Sequence, residues 1–285
     1  LIIHNGKRLV KEKIDEILPD FSSFLSKGLP CHQIYDTLER NPRLFCVSAR
    51  KSFLGHLRKE VRFCMKTFKL HLIRHGLTAG NLDGRYIGGG TDLPLCSEGR
   101  AQLAELKERF EYPVVDTVFS SPLLRAVETA NILFPGAAHQ FTVHDLREAH
   151  FGVFEDRPVK ELVKDPDFSR WITPGSGFTP EGAEPTADFH RRCGESLLKL
   201  FEYMIRMDVT EAACVTHGGV IVSMLAQHAL PSRRPEQWMA DPGCGYTVQT
   251  DVQLWMRDKM VEAIDIVPFG YADTLRGQAE TENNE

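Results

Sequence analysis

The sequence predicts an α/β protein, a three-layer α/β/α sandwich with a mostly parallel central sheet, preceded by a small helical N-terminal segment. Three observations predict it. From residue 69 onward, short apolar runs alternate with stretches whose apolar residues recur at helical spacing. Two of those runs close on a histidine followed by glycine. Before residue 67 the apolar residues follow helical spacing only.

Taken in order, residues 1–66 carry one helical stripe at Val10, Ile14, Ile17 and Leu18 and another at Phe53, Leu54, Leu57, Val61, Cys64 and Met65. Pro19, Gly28, Pro30 and Pro42 punctuate them, so two to four short helices are expected. Residues 1–68 hold 13 Lys/Arg against 7 Asp/Glu, a net of +6, which leaves −11 for the rest of a chain whose total is −5. This basic segment is expected to be a unit of its own, with a start at Leu1 that fits the end of a longer upstream domain. Its surface leaves three roles open: a grip on an acidic partner, packing on the α/β unit, or simple solvation.

The α/β unit is expected over 67–270. Its strands are KLHLI, VDTVFS, AACVTH and MVEAIDIV, and its helices fall near 98–110, 122–133, 186–206 and 219–229. Ser120 or Ser121 is placed to cap the second of these helices, with Pro122 in its first turn. The tail 271–285 is polar and expected to be frayed or disordered.

Composition narrows the function classes. At 285 residues and 42% hydrophobic, the chain can build a sizeable core. Net negative charge argues against nucleic acid as a partner. Seven cysteines are scattered without a C-x-x-C pair or a Cys/His zinc spacing, which predicts a reducing compartment and no metal site. No apolar run approaches the roughly 20 residues that span a bilayer, so no membrane partner and a cytoplasmic location are expected. The sequence assigns no oligomeric state.

Ligands of open α/β sheets bind beyond the carboxyl ends of the strands. Arg74, His75 and Gly76 lie at one such end, and Thr216, His217, Gly218 and Gly219 at another. Glycines there let the backbone approach a ligand, and a helix start attracts anions. A third junction, SSPLLRA, places Arg125 in the first turn of a helix. Two guanidiniums and two imidazoles in one pocket suit a phosphoryl group.

These residues carry a resemblance. Arg74, His75, Gly76, Thr78 and Asn81, then DLPL followed by Gly99 and Gln102, SPLLRA at 121–126, LREAHFG at 146–152 and THGG at 216–219 together resemble the histidine phosphatase superfamily, over roughly residues 69–230. The resemblance implies a phosphoric monoester hydrolase of the histidine acid phosphatase kind, acting on a small phosphorylated metabolite without cofactor or metal. It implies that His75 is the nucleophile, that Arg74, Arg125 and His217 hold the non-bridging oxygens, and that Asn81, Thr78 and Gly218 complete the phosphate site. Glu148 would be the acid that protonates the leaving oxygen.

Other residues compete for these roles. Glu155, Glu181 and Glu184 are the nearest alternatives to Glu148, and His150 is placed to line the pocket. His71 shares a strand face with His75, but four residues span about 13 Å along a strand, too far for one metal ion. Gly88, Gly89 and Gly90 lack the Lys-Ser/Thr of a nucleotide P-loop and are expected to form a flexible rim. Phe151, Phe154, Trp171 and Phe178 are expected to wall a sugar, nucleoside or ribazole-like group. The resemblance departs at Phe154-Glu155-Asp156, where members often carry W-E-G, and at Gly182-Ala183-Glu184-Pro185, where G-G-E-S is usual. Mutases of the family that this chain resembles carry a long insertion between the acid and the second histidine, whereas Glu148 and His217 lie 69 positions apart, so the resemblance implies hydrolysis, with a phosphoglycerate mutase as the alternative.

Overall fold

The computed structural model describes residues 66–271. The basic helical segment and the polar tail expected from the sequence fall almost wholly outside that range. Contacts divide the chain into one unit of Leu1–Thr67 with Asp251–Asp258 and another of Phe68–Thr250 with Lys259–Glu285. Of the first, the described helix is α8 (Val252–Asp258), where Asp251 accepts the Leu254 N–H at 2.8 Å.

The second unit is the three-layer sandwich. Its strands are β1 (Thr67–Arg74), β3 (Thr117–Ser120), β4 (His139–Thr142), β6 (Glu211–Thr216), β7 (Ala229–Leu230), β8 (Gly245–Asp251) and β9 (Val261–Val267). They order β4-β3-β6-β1-β8-β9-β7, and β2 (Arg85–Tyr86) pairs separately with β5 (Arg157–Pro158). The β1/β6, β3/β6, β3/β4 and β7/β9 pairs are parallel, while β8/β9 is antiparallel with an irregularity at Thr247/Val248.

Burial on both faces explains why β1 reads as an almost unbroken apolar run. Phe68, Leu70, Leu72 and Ile73 are all fully buried. On the Ile73 face, Ala213 and Val215 of β6 join Leu103 and Leu106 of α2 (Ser97–Arg109) and Ala126, Ala130 and Leu133 of α3 (Leu124–Leu133) in one core. A second helix pair, α6 (Thr186–Met207) and α7 (Gly218–His228), packs together and buries Leu197, Phe201, Met204, Val220 and Met224. Of the shorter helices, α1 (Ala79–Leu82) follows β1, and α4 (Val159–Leu162) and α5 (Pro166–Ile172) follow β5.

One local expectation fails. Neither Ser120 nor Ser121 caps α3 with its side chain: the helix starts at Leu124, two residues after Pro122, and Leu123 occupies the cap without a side-chain bond. The Leu124 N–H is instead taken by Asp92 Oδ1 at 2.7 Å. A carboxylate 32 residues away satisfies the orphan donor, which leaves Ser121 for another task.

Candidate active site

Register brings the three sequence motifs together. Arg74 pairs with Thr216 across β1/β6, and Ser120 pairs with Val215 across β3/β6. The chain leaves all three central strands at the same edge, with His75 N–H bonded to Thr216 O and Ser121 N–H to Val215 O, both at 2.9 Å. The His75 and His217 rings consequently meet edge to face, 5.1 Å between centroids.

His75 is buried, with Nδ1 2.7 Å from Gly76 O and Nε2 3.3 Å from Arg125 Nε. A carbonyl can only accept and a guanidinium only donate, so Nδ1 carries the proton and Nε2 keeps its lone pair. Burial, with Arg125 and Arg74 nearby, pulls its pKa down to about 3 against the opposing pull of the Gly76 carbonyl. The ring is therefore neutral at physiological pH.

Arg125, almost fully buried, sends Nη1 to Thr91 O at 2.8 Å and Nη2 to Gly88 O at 3.0 Å. Arg74 donates from Nη1 to Ala240 O at 2.8 Å, while its Nε is buried without a partner. His217 places Nε2 2.7 Å from Ser121 Oγ, and its Nδ1 is buried and unpartnered too. Burial holds His217 well below the ordinary imidazole range, reinforced by His75 and the arginines. Sequence reasoning missed the contact between Ser121 and His217; no local pattern announces a hydrogen bond across 96 residues.

The remaining phosphate-site candidates lie where α1 and α7 begin. Thr78 caps α1: its hydroxyl accepts the Asn81 N–H and donates to Asn81 Oδ1 at 2.9 Å, and Asn81 Oδ1 also takes the Thr78 N–H at 3.1 Å. The two side chains brace each other in a capping box just after the strand end. Gly218 opens α7, and a Cβ there would stand 3.6 Å from Arg74 Nε.

The glycine loop is not a free rim. Gly88 N–H donates to Glu155 Oε1 at 2.6 Å, Gly89 N–H to Ala149 O at 2.7 Å, and Arg125 holds Gly88 O and Thr91 O. A Cβ on Gly88 would meet Ala149 O at 2.5 Å, and one on Gly89 would meet Glu148 O at 2.4 Å. Close backbone approach, not mobility, explains these glycines.

Glu148 is half-buried, with Oε1 accepting the Ala149 N–H and Oε2 the Gly219 N–H, each at 2.9 Å. Burial raises its pKa; those two N–H groups, then Arg125 and Arg192, pull it back. The competing carboxylates are occupied elsewhere. Glu155 ties Gly88 to Phe151, Glu184 pairs with Arg192, and Glu181 is exposed. His150 is exposed and accepts the Gly152 N–H, and buried His71 bonds Thr247 and Glu211. Phe151 and Phe154 are buried in a cluster with Tyr86, Phe168 and Trp171, with Tyr86 and Phe151 stacked at 4.1 Å. Their faces are spent on one another, which corrects the expected aromatic wall; Phe178 instead lies under Arg170.

Among the described residues, no three His, Cys, Asp or Glu side chains gather as a metal-holding group, and no helix is long and apolar enough to cross a membrane.

Comparison with known proteins adds kinship. The model of the histidine phosphatase superfamily (branch 1) matches residues 70–260. The chain is 27% identical over 180 residues to the adenosylcobalamin/alpha-ribazole phosphatase of Salmonella typhimurium, covering 62% of this chain and 87% of that one. It is 33% identical over 146 residues to the fructose-2,6-bisphosphatase TIGAR B of Danio rerio, covering 50% and 56%. Among solved structures, the alpha-ribazole phosphatase of Shigella flexneri matches with a TM-score of 0.56 at 26% identity, over 69% of this chain and 95% of that one.

Proposed function

Since the chain belongs to the histidine phosphatase superfamily, we propose that it is a metal-independent phosphomonoesterase that hydrolyses a small phosphorylated metabolite through a phosphohistidine. The observation that carries this is the convergence, on one sheet edge, of two neutral imidazoles, two arginines and one half-buried carboxyl, with Arg74 Nε and His217 Nδ1 unpartnered. Buried donors without partners are costly, and a phosphoryl oxygen would satisfy them.

In the first step His75 Nε2 attacks phosphorus, the bond from phosphorus to the ester oxygen breaks, and Glu148 delivers its proton to the departing oxygen. Arg74, Arg125 and His217 face the charge on the three non-bridging oxygens. In the second step Glu148, now ionised, takes a proton from water; the oxygen attacks phosphorus, the bond to Nε2 breaks, and phosphate leaves with His75 neutral again. The raised pKa of Glu148 suits the acid half of this cycle. Hydrolysis is preferred to mutase chemistry because Glu148 and His217 lie only 69 positions apart, a short cover that favours entry of water.

The test is phosphate release from sugar phosphates, nucleotides, phosphoglycerates and α-ribazole phosphate, beside His75→Ala. The expected result is turnover of at least one ester, an acid-labile phosphoenzyme trapped in the parent, and loss of both in the variant. Turnover that survives His75→Ala, or that requires an added divalent metal, overturns the mechanism. Phosphoglycerate isomerisation in place of release would assign the mutase.

A further inference from the structure

Arg192 stands in the second turn of α6, outside every motif that drew attention in the sequence. Its Nε and Nη2 donate to the two oxygens of Glu184 at 2.6 and 2.7 Å. Its Nη1 donates to Asp145 O at 2.8 Å and Arg147 O at 2.7 Å, and Nη2 also to Glu148 O at 3.2 Å. A guanidinium has five N–H donors in a rigid fork, and five acceptors are met here. Nothing is left over for a substrate. Arg192 is thus not another phosphate clamp.

What it holds is the segment that carries Glu148. Three carbonyls of residues 145–148 converge on the fork, while the Glu148 carboxylate accepts the Ala149 and Gly219 N–H groups. The counter-ion is anchored as well. Glu184 N–H donates to His150 O at 2.8 Å, and Val153 N–H to Glu181 O at 3.0 Å. Gly152 adopts a positive φ of 55°, and a Cβ there would stand 2.1 Å from Glu181 O, so residues 181–184 lie directly on the segment after the acid. Arg74, Arg125 and Arg192 all face Glu148, but Arg74 and Arg125 donate to carbonyls or a ring nitrogen, whereas Arg192 is paired with a carboxylate.

We propose that Arg192 and Glu184 form a positioning pair for proton transfer: the fork fixes where Glu148 stands, and the balance of charge within the pair sets the pH at which Glu148 gives up its proton. This rests on Glu148 being the acid. The groups that face Glu148 are Arg74 from β1, Tyr86 from β2, Arg125 from α3, and Arg192 with Cys193 from α6. Removing the Arg192 charge stabilises the protonated acid; removing the Glu184 charge leaves Arg192 uncompensated and favours the carboxylate. The two changes therefore push Glu148 in opposite directions.

The experiment is the pH dependence of kcat/KM for the full chain with glycerol phosphate, whose alkoxide must be protonated to leave. Arg192→Met should lower kcat by about 10- to 100-fold with KM nearly unchanged, since loss of the fork misplaces the acid, and its alkaline limb should move to higher pH. Glu184→Gln, nearly isosteric, should move that limb to lower pH. Limbs that stay put or move the same way in both variants overturn the proposal. If Arg192→Met does not fold, Glu184→Gln alone decides: a downward move supports the pair and an unmoved limb overturns it. Glu148→Gln separates the two levels. A limb that survives in Glu148→Gln refutes the acid assignment itself, whereas a limb lost there but unmoved in the pair variants refutes only the pair.

Discussion

Gly219→Ala offers a sharp test of the placement of Glu148, the proposed acid. Gly219 lies in the first turn of α7 and donates its N–H to Glu148 Oε2 at 2.9 Å. A Cβ at this position would stand 2.6 Å from Glu148 Oε1 and 3.0 Å from Oε2. Ordinary contact begins near 3.4 Å, so the carboxylate must retreat by about 0.8 Å. A misplacement of about 1 Å costs on the order of 100-fold in rate, or about 2.7 kcal/mol of barrier. Stability should not suffer, because Gly219 has no left-handed φ and alanine favours a helix by about 1 kcal/mol. The assay is kcat on the best ester found, beside thermal unfolding and inhibition by inorganic phosphate. The expected outcome is a kcat loss of about 100-fold, a Tm within about 4 °C of the parent, and phosphate inhibition little changed. Parental kcat would show that Glu148 does not act from this position, and an equal loss of phosphate affinity would show that Gly219 serves the anion instead.

The buried histidines predict a pH dependence of stability. His75 falls from an ordinary value of 6.5 to about 3 on folding, so the unfolded chain binds a proton there that the folded chain refuses. Its contribution is whole above pH 6.5 and shrinks as pH falls towards 3, by about 1.4 kcal/mol per unit for this group. His75→Asn should flatten the loss of Tm between pH 6.5 and 4, and an unchanged slope would mean that the ring is not held neutral. Ser121→Ala should strand the His217 ring nitrogen now 2.7 Å from the hydroxyl. A cost of about 1–3 kcal/mol is expected in Tm or in the inhibition constant of inorganic phosphate; if neither moves, the contact orients nothing.

The meeting of the candidate site's motifs was legible in the sequence because its parts are short contiguous runs at strand ends, where register alone brings them together. β1 and β6 were legible for a related reason: strands covered on both faces are written as apolar runs. The edge strand β4 was not, since His139, Gln140, Phe141 and Thr142 are all exposed and show no alternation. β8 escaped because its Gly, Thr and Gln resemble a loop until β9 pairs with it. What the sequence hid most completely are side chains whose partners lie far along the chain. Asp92 capping α3, Ser121 meeting His217 and Arg192 gathering residues 145–148 span from 32 to 96 positions. Local propensity has no term for them. The serine cap was misjudged for the same reason, since a distant aspartate outcompeted the nearby hydroxyl.

The contact between Arg125 and His75 also bears on when the proposed nucleophile would be available. Arg125 Nε–H points at His75 Nε2, whose lone pair would attack in the proposed mechanism, at 3.3 Å. That distance is long for a hydrogen bond to nitrogen, and the donor is a cation with a better acceptor to prefer. A phosphate oxygen entering beside Arg125 would draw the Nε–H away and so uncover the lone pair on the side where phosphorus arrives. The same anion would satisfy Arg74 Nε and His217 Nδ1, both now unpartnered. Burial among arginines keeps both rings neutral before binding, so no proton has to leave His75 first. Charge neutralisation and nucleophile exposure would then be one event, brought about by the phosphoryl group and independent of the organic part that carries it.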